Sequence, residues 1–372
     1  MTRPHLATMF GREYLLPTWY PPVLVTGLAV LDQGRRLVSR DAHAVSIPDL
    51  SQATIIIAKP DHLGDLVQAT ALFRALRTQL PHARLVLVHG SWAREVASWL
   101  VANDYVHDLV TYDAAWLQAS TVSWRDRLRV QRETRQSAAA AIRRLAANIY
   151  LDIRCTSPST LDLAIESAVP VRIGFGLRGR SWLYHRRIPY LANVSLGQNW
   201  LHALDVLGLS SVTYAGPVLP AAAALSSDAP IVVQAGSRMA AKEAPDALWR
   251  TLLPALAERA PIMLVGNAGD RERFAWLRGL VPASRLHDAM GSTDFAQLVV
   301  ATGRARAAVG VESMVAHLAV GRQRPTVVLN NPDASGVAAF PDDLDTLCFV
   351  NMSDDPAVAA RSALAHLDRC LA

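Results

Sequence analysis

Thr54-Ile-Ile-Ile-Ala58, then Lys59-Pro-Asp-His-Leu-Gly-Asp65, then an amphipathic run to Leu80, decides the fold. The first piece is a short β-branched apolar run of the kind buried on both faces of a sheet. In the last piece apolar side chains recur at Leu66, Ala69, Leu72, Phe73 and Leu76, which predicts a helix over 65–80. Strand, polar loop and helix together make the repeating unit of a parallel sheet. Outward from it the alternation continues, with strands expected over 84–89, 105–111, 149–153 and 171–175. Helices are expected over 92–101, 123–147 and 199–207, the last stopped by Gly208.

A Pro/Ala/Ser-rich stretch, 216–230, reads as a linker, after which the pattern starts again. Strands are expected over 231–235, 261–265, 307–311 and 326–329, and helices over 247–259, 270–280, 294–303 and 313–320. The fold class is therefore α/β with two Rossmann-like halves. The expected domains are an extension over 1–50 packed on the first domain, domains over 51–215 and 216–350, and a helix over 351–372 packing back on the first domain. No helical or strand period is sustained in 1–50.

A length of 372 residues suits two domains of roughly 150 residues each. With 51% hydrophobic and 19% charged residues the chain has material for two cores and is not of the disordered class. The apolar run from Pro22 to Leu31 stops at Asp32, short of the roughly 18 residues a membrane span needs. Arg12 and Glu13 interrupt any leader-like core. Cys155, Cys348 and Cys370 are spaced neither as a disulfide framework nor as a metal cluster, and a cytoplasmic location is expected. The net charge of +5 is carried almost wholly by arginine, which suits phosphate or carboxylate recognition and also an ordinary solvated surface.

Three loops at strand ends carry the chemistry. In Lys59–Asp65, Gly64 permits close backbone approach, and Asp65 reads as a helix cap or as a carboxylate open to ligand. In Gln234-Ala-Gly-Ser-Arg-Met-Ala-Ala-Lys242, the residues Gly236, Ser237 and Lys242 form a candidate phosphate grip; a solvated lysine is the plainer reading. In Val309-Gly-Val-Glu-Ser-Met-Val-Ala-His-Leu318, a strand runs into a helix whose N-terminus suits a pyrophosphate, with Glu312 placed for sugar hydroxyls. There, equally, Ser313 is only a cap and His317 an interior histidine. No Walker loop, His-Glu-x-x-His or paired-cysteine spacing occurs, and Gly174-Phe-Gly176 is too short for a dinucleotide fingerprint.

These loops in this order resemble glycosyltransferase family 9, the ADP-heptose:lipopolysaccharide heptosyltransferases. The resemblance rests on Leu63-Gly-Asp65, on Ala235-Gly236 with Lys242-Glu-Ala-Pro245, and on Glu312-Ser-Met314 with His317-Leu318. Leu151-Asp-Ile-Arg154, Arg172-Ile-Gly-Phe175, Leu264-Val-Gly266 and Gly291-Ser-Thr-Asp294 support it. It implies a glycosyltransferase B-type fold whose halves face each other across a cleft. The implied reaction is inverting transfer of heptose from an ADP-activated donor to a lipopolysaccharide-type hydroxyl. Asp65 would be the general base, and Lys242 would stabilise the departing diphosphate. Gly64, Gly236, Ser237, Thr293, Glu312, Ser313, Met314 and His317 would hold the donor, with no cofactor or metal. Where the family has Asp and Gly, this chain has Glu312 and Met314, and Ala244 replaces an aromatic. Those departures keep two alternatives open: another acceptor, such as a capsule precursor, a protein or a secondary metabolite, or a non-catalytic nucleotide-binding relative.

The basic stretch over 123–144 offers Arg125, Arg129 and Arg132 to an anionic acceptor or to anionic lipid headgroups at the cytoplasmic face of the inner membrane; a solvated helix face fits it too. Arg178, Arg180, Arg186 and Arg187 form a second basic cluster. Neither stretch interleaves aromatics as a nucleic-acid platform does, so a nucleic-acid partner is not expected.

Overall fold

A computed structural model describes residues 5–9, 12–16, 27, 30–31, 45–117, 122–155, 160–177, 180–331, 340–341 and 344–371. The chain divides into two compact units between Tyr214 and Ala215.

The first unit begins with a hairpin, β1 (His5–Met9) antiparallel to β2 (Arg12–Leu16), in a region where the sequence shows no period. Two five-residue strands paired only with each other are too short to print one. Most of the rest of the 1–50 extension lies outside the described residues, as does Arg178. The unit continues through β3 (Thr54–Ala58), α1 (Leu63–Gln68), α2 (Thr70–Gln79), β4 (Arg84–His89), α3 (Arg94–Ala102), β5 (Asp108–Thr111) and α4 (Trp124–Arg144). It closes with β6 (Ile149–Asp152), α5 (Leu161–Glu166), β7 (Val171–Gly174), β8 (Arg186–Arg187) and α6 (Leu196–Val206). The six strands from β3 to β8 form one parallel sheet in the order β5-β4-β3-β6-β7-β8. Ile55, Ile56 and Ile57 are fully buried in its middle, each side chain worth about 1.5–3 kcal/mol of transfer free energy. The helix expected over 65–80 is two helices. A capping box between His62 and Asp65 starts the first at Leu63, and a break at Ala69 separates them, where the Thr70 hydroxyl donates to the Val67 carbonyl at 2.6 Å.

The second unit runs through β9 (Ile231–Gln234), α7 (Asp246–Arg259), β10 (Ile262–Leu264), α8 (Ala268–Arg273), β11 (Leu286–Asp288), α9 (Phe295–Arg304) and β12 (Ala307–Val311). It ends with α10 (Met314–Gly321), β13 (Thr326–Asn330), β14 (Leu347–Asn351) and α11 (Pro356–Leu371). Its sheet is also parallel and six-stranded, in the order β11-β10-β9-β12-β13-β14. Ala359, Ala360, Ala363 and Leu367 of α11 are built into the second unit's core with Trp249, Leu253 and Leu256 of α7. Arg259 also grips Asp368 with two hydrogen bonds of 2.8 Å.

The two sheets share one topology. In each, the first strand lies between the second and the fourth, so the chain leaves β3 and β6, and again β9 and β12, on opposite sides. Ligands of open α/β sheets bind outside the carboxyl ends of the strands at such a switch point.

Candidate functional site

Only two of the 37 basic residues are lysines, Lys59 and Lys242, and each follows the first strand of its sheet, at the switch point. In the first unit Lys59 leaves β3 and Arg154 leaves β6, and both pair with Asp61. The three side chains are 3%, 6% and 4% exposed. Trp200 lies under the Lys59 ammonium at 4.1 Å, and Trp116 faces the Arg154 guanidinium at 5.7 Å. Burial works against the charged form of Lys59, but the Asp61 and Asp65 carboxylates outweigh it and hold its pKa above the ordinary value. Burial likewise opposes ionised Asp61, and Arg154 and Lys59 overcome it. Beside them burial pushes the Cys155 thiol up to about 11, so it remains protonated and unreactive at neutral pH.

Asp65 lies in the first turn of α1, near enough for its charge to act on Lys59. Its carboxylate accepts from the His62 amide at 3.3 Å, a long bond, and is half-buried. The cap and the ligand-facing carboxylate, alternatives in the sequence, are compatible: one bond leaves lone pairs for an acceptor hydroxyl. Gly64 lies in the same turn.

In the second unit Lys242 Nζ donates to Glu312 Oε2 at 2.8 Å, across 70 residues of chain. Glu312 and Ser313 follow β12, and Ser313 is the residue before α10. Its side chain makes no cap; the hydroxyl donates instead to Gln234 Oε1 at 2.7 Å. The first amides of α10 therefore receive no bond from the Ser313 side chain, and they lie beside the one lysine of the unit. That is a place for an anion. Met314 opens the helix and is half-buried, as is Thr293 before α9. Gly236 is required by packing: a Cβ there would meet Asp270 Oδ1 at 2.2 Å. Ser237 is spent on the loop, its amide donating to Glu243 Oε1 at 3.1 Å and its hydroxyl accepting from the Met239 amide at 3.2 Å. Arg273 ties Glu243 and Asp270 together at 2.6 and 2.8 Å.

His317, on the buried face of α10, stacks on Phe340 with ring centroids 4.2 Å apart. Burial first, and the Lys242 charge second, push its pKa down to about 3 from 6.5. Because the folded value is depressed, the stability that the neutral ring carries is complete above about pH 6.5 and is lost as pH falls toward 3. Between pH 6.5 and 4.5 the protein should lose about 2–3 kcal/mol more than His317→Gln does. Urea unfolding midpoints at the two pH values measure this, and parallel losses would refute it.

Arg125, Arg129 and Arg132 lie on the exposed side of α4, and Arg129 pairs with Asp126 at 3.0 Å. The residues that sequence reasoning passed over are Asp61, Arg154 and Trp200. Arg154 and Asp61 are 93 residues apart; the signal was a charge at each of two adjoining strand ends, but their pairing is visible only once β3 and β6 are neighbours. Among the described residues no group of His, Cys, Asp or Glu is arranged to hold a metal ion, and no helix is long and apolar enough to cross a membrane.

Residues 163–337 match the family model for glycosyltransferase family 9 (heptosyltransferase). No curated protein sequence matches the chain. Among solved structures, a family 9 glycosyl transferase from Veillonella parvula is similar at 14% identity and TM-score 0.67, covering 87% of this chain and 100% of that one. E. coli heptosyltransferase WaaC with ADP is similar at 17% identity and TM-score 0.63, with coverage of 84% and 99%. E. coli ADP-heptose lps heptosyltransferase II follows at 16% and 0.62, with coverage of 85% and 99%. At such identities the likeness shows the shared fold alone, and the family model covers a little under half of the chain.

Proposed function

We propose that this chain, a glycosyltransferase carrying the family 9 (heptosyltransferase) domain over residues 163–337, transfers heptose with inversion from an ADP-activated donor to a hydroxyl of a lipopolysaccharide-type acceptor. The observation that carries the reading is the Lys242–Glu312 pair at the uncapped start of α10, inside the matched stretch and at the switch point of its sheet. A nucleoside diphosphate set on the α10 amides would take Lys242 as counter-charge. Glu312, released from it, would accept from sugar hydroxyls. Gly236, Ser237, Thr293, Met314 and His317 would form the walls of that half-site.

Asp65 lies outside the matched stretch, and the resemblance of Leu63-Gly-Asp65 to the family's loop supports its role as the base. Its carboxylate takes the proton of the acceptor hydroxyl as that oxygen bonds to the anomeric carbon. The bond from that carbon to the diphosphate breaks, and the diphosphate leaves with its charge stabilised by Lys242 and the helix amides. Arg125, Arg129 and Arg132 meet anionic groups at the acceptor side. This chemistry takes place at the cytoplasmic face of the membrane and needs no metal.

Release of nucleoside diphosphate from ADP-heptose and from UDP- and GDP-sugars, with and without inner-core acceptors, tests the reading. Acceptor-dependent release of ADP, unchanged by a chelator, is expected. Lys242→Met should slow it by about 10²–10³-fold, the range for losing one preorganised charge-stabilising group. The substitutions Glu312 and Met314 favour a second reading, the same chemistry on a different acceptor, which release with a capsule, protein or small-molecule acceptor alone would establish. Binding without release from any donor would overturn both in favour of a non-catalytic relative.

A further inference from the structure

Helix α6 places two aromatic rings of the first unit. Trp200, one of its own residues, lies under the Lys59 ammonium at 4.1 Å, so this face of the helix meets the Lys59–Asp65 loop. Gly197, three residues earlier, is on the same face. The Tyr214 ring packs on it, and a Cβ at position 197 would strike that ring. The backbone is tied down as well. Gln198 Oε1 accepts from the Tyr214 amide at 2.8 Å, and the Ser195 hydroxyl caps the helix start by accepting from the Gln198 amide at 3.2 Å. One turn of helix thus brings ring and loop together, all within the first unit.

The hydroxyl at the end of this ring has no use in the fold. Tyr214 is 6% exposed, and among the described residues its oxygen finds no hydrogen-bond partner. Burying an unpaired hydroxyl is a cost that phenylalanine would avoid. Burial first, and the Asp65 charge second, push the phenol far above its ordinary pKa, so it keeps its proton and remains a donor. The Asp65 carboxylate, for its part, spends one long bond of 3.3 Å on the His62 amide.

We propose that Tyr214 positions the base: when an acceptor is bound, its hydroxyl donates to the Asp65 carboxylate and fixes the oxygen that faces the acceptor. Catalytic hydrogen bonds are often long or poorly aligned without substrate and tighten in its complex. The proton that Asp65 takes is the acceptor's, and Tyr214 keeps its own throughout. The role rests on the reading of Asp65 as the base. A hydrogen bond to an ionised group favours that form, so its loss should move the acidic limb of kcat upward. Of the other titratable groups around Asp65, Lys59 stays charged and Cys155 neutral across that limb, and the exposed His62 is common to the proteins compared.

Tyr214→Phe, Asp65→Asn and the double variant, assayed by release of nucleoside diphosphate from ADP-heptose with an inner-core acceptor, test the role. Tyr214→Phe should lower kcat about tenfold and raise the acidic limb by about one pH unit, the worth of one charge-assisted hydrogen bond, with both KM values within about twofold. Its urea midpoint should hold or rise, because the hydroxyl removed was unpaired. In the Asp65→Asn background the same change should cost less than about twofold. A kcat within about twofold, an unmoved limb, a lowered midpoint that tracks the loss of rate, or equal losses in both backgrounds overturns the proposal and leaves the base reading intact. An unchanged rate in Asp65→Asn, or a protein that releases diphosphate with no donor and acceptor, overturns that reading and the proposal with it.

Discussion

Asp61→Ala is expected to destabilise the first unit by about 3–5 kcal/mol, the cost of removing one partner from a buried ion pair. Asp61 is the carboxylate shared by Lys59 and Arg154, and none of the three side chains is more than 6% exposed. Without it the buried Lys59 and Arg154 at the ends of β3 and β6 lose the carboxylate they share. An apolar trio of the same volume can pack as stably as such a cluster, so the loss comes from breaking it rather than from its absence. The double variant Asp61→Ala/Lys59→Met removes the surplus charge as well and should recover a substantial part of the loss. Urea unfolding of the three proteins measures the coupling. A loss below about 1 kcal/mol for Asp61→Ala would show that water or movement relieves the cations, contrary to the burial seen here.

That cluster also marks where sequence reading stops. The alternation of buried strands and amphipathic helices was legible because Ile55–Ala58, Val86–Val88 and Ala307–Val311 are buried on both faces and print uninterrupted apolar runs. The strands β8 and β11 were not, because Arg186–Arg187 and Leu286–Asp288 are short and polar and owe their form to the neighbouring strand. Periodicity showed that α11 has an apolar face but not which core receives it. At the site, Asp65, Lys242 and Glu312 were legible as residue types at strand ends. The ion pair between the last two, the turn of the Ser313 hydroxyl toward Gln234, and the pairing of Arg154 with Asp61 all depend on which strands become neighbours, which the local sequence does not specify.

Asp65→Asn is expected to lower the rate of sugar transfer by about 10²–10⁴-fold, the usual contribution of a positioned general base, while leaving folding and donor binding nearly unchanged. The substitution separates two roles of one side chain. As the capping partner of His62, the group needs only an oxygen that accepts from the His62 amide, and asparagine keeps one. As a base it must take a proton, which the amide cannot do. A pure cap would therefore tolerate the change with activity within about tenfold, whereas Asp65→Ala would lower the melting midpoint. Donor affinity is a separate readout, because Lys242, Glu312 and the α10 amides all belong to the other unit. Single-turnover release of nucleoside diphosphate, donor titration and thermal unfolding on the same preparations resolve the cases. A large fall in rate at constant donor affinity and constant stability identifies the base. A fall that tracks lost stability assigns Asp65 to the helix start alone and leaves the proton to be taken by another group.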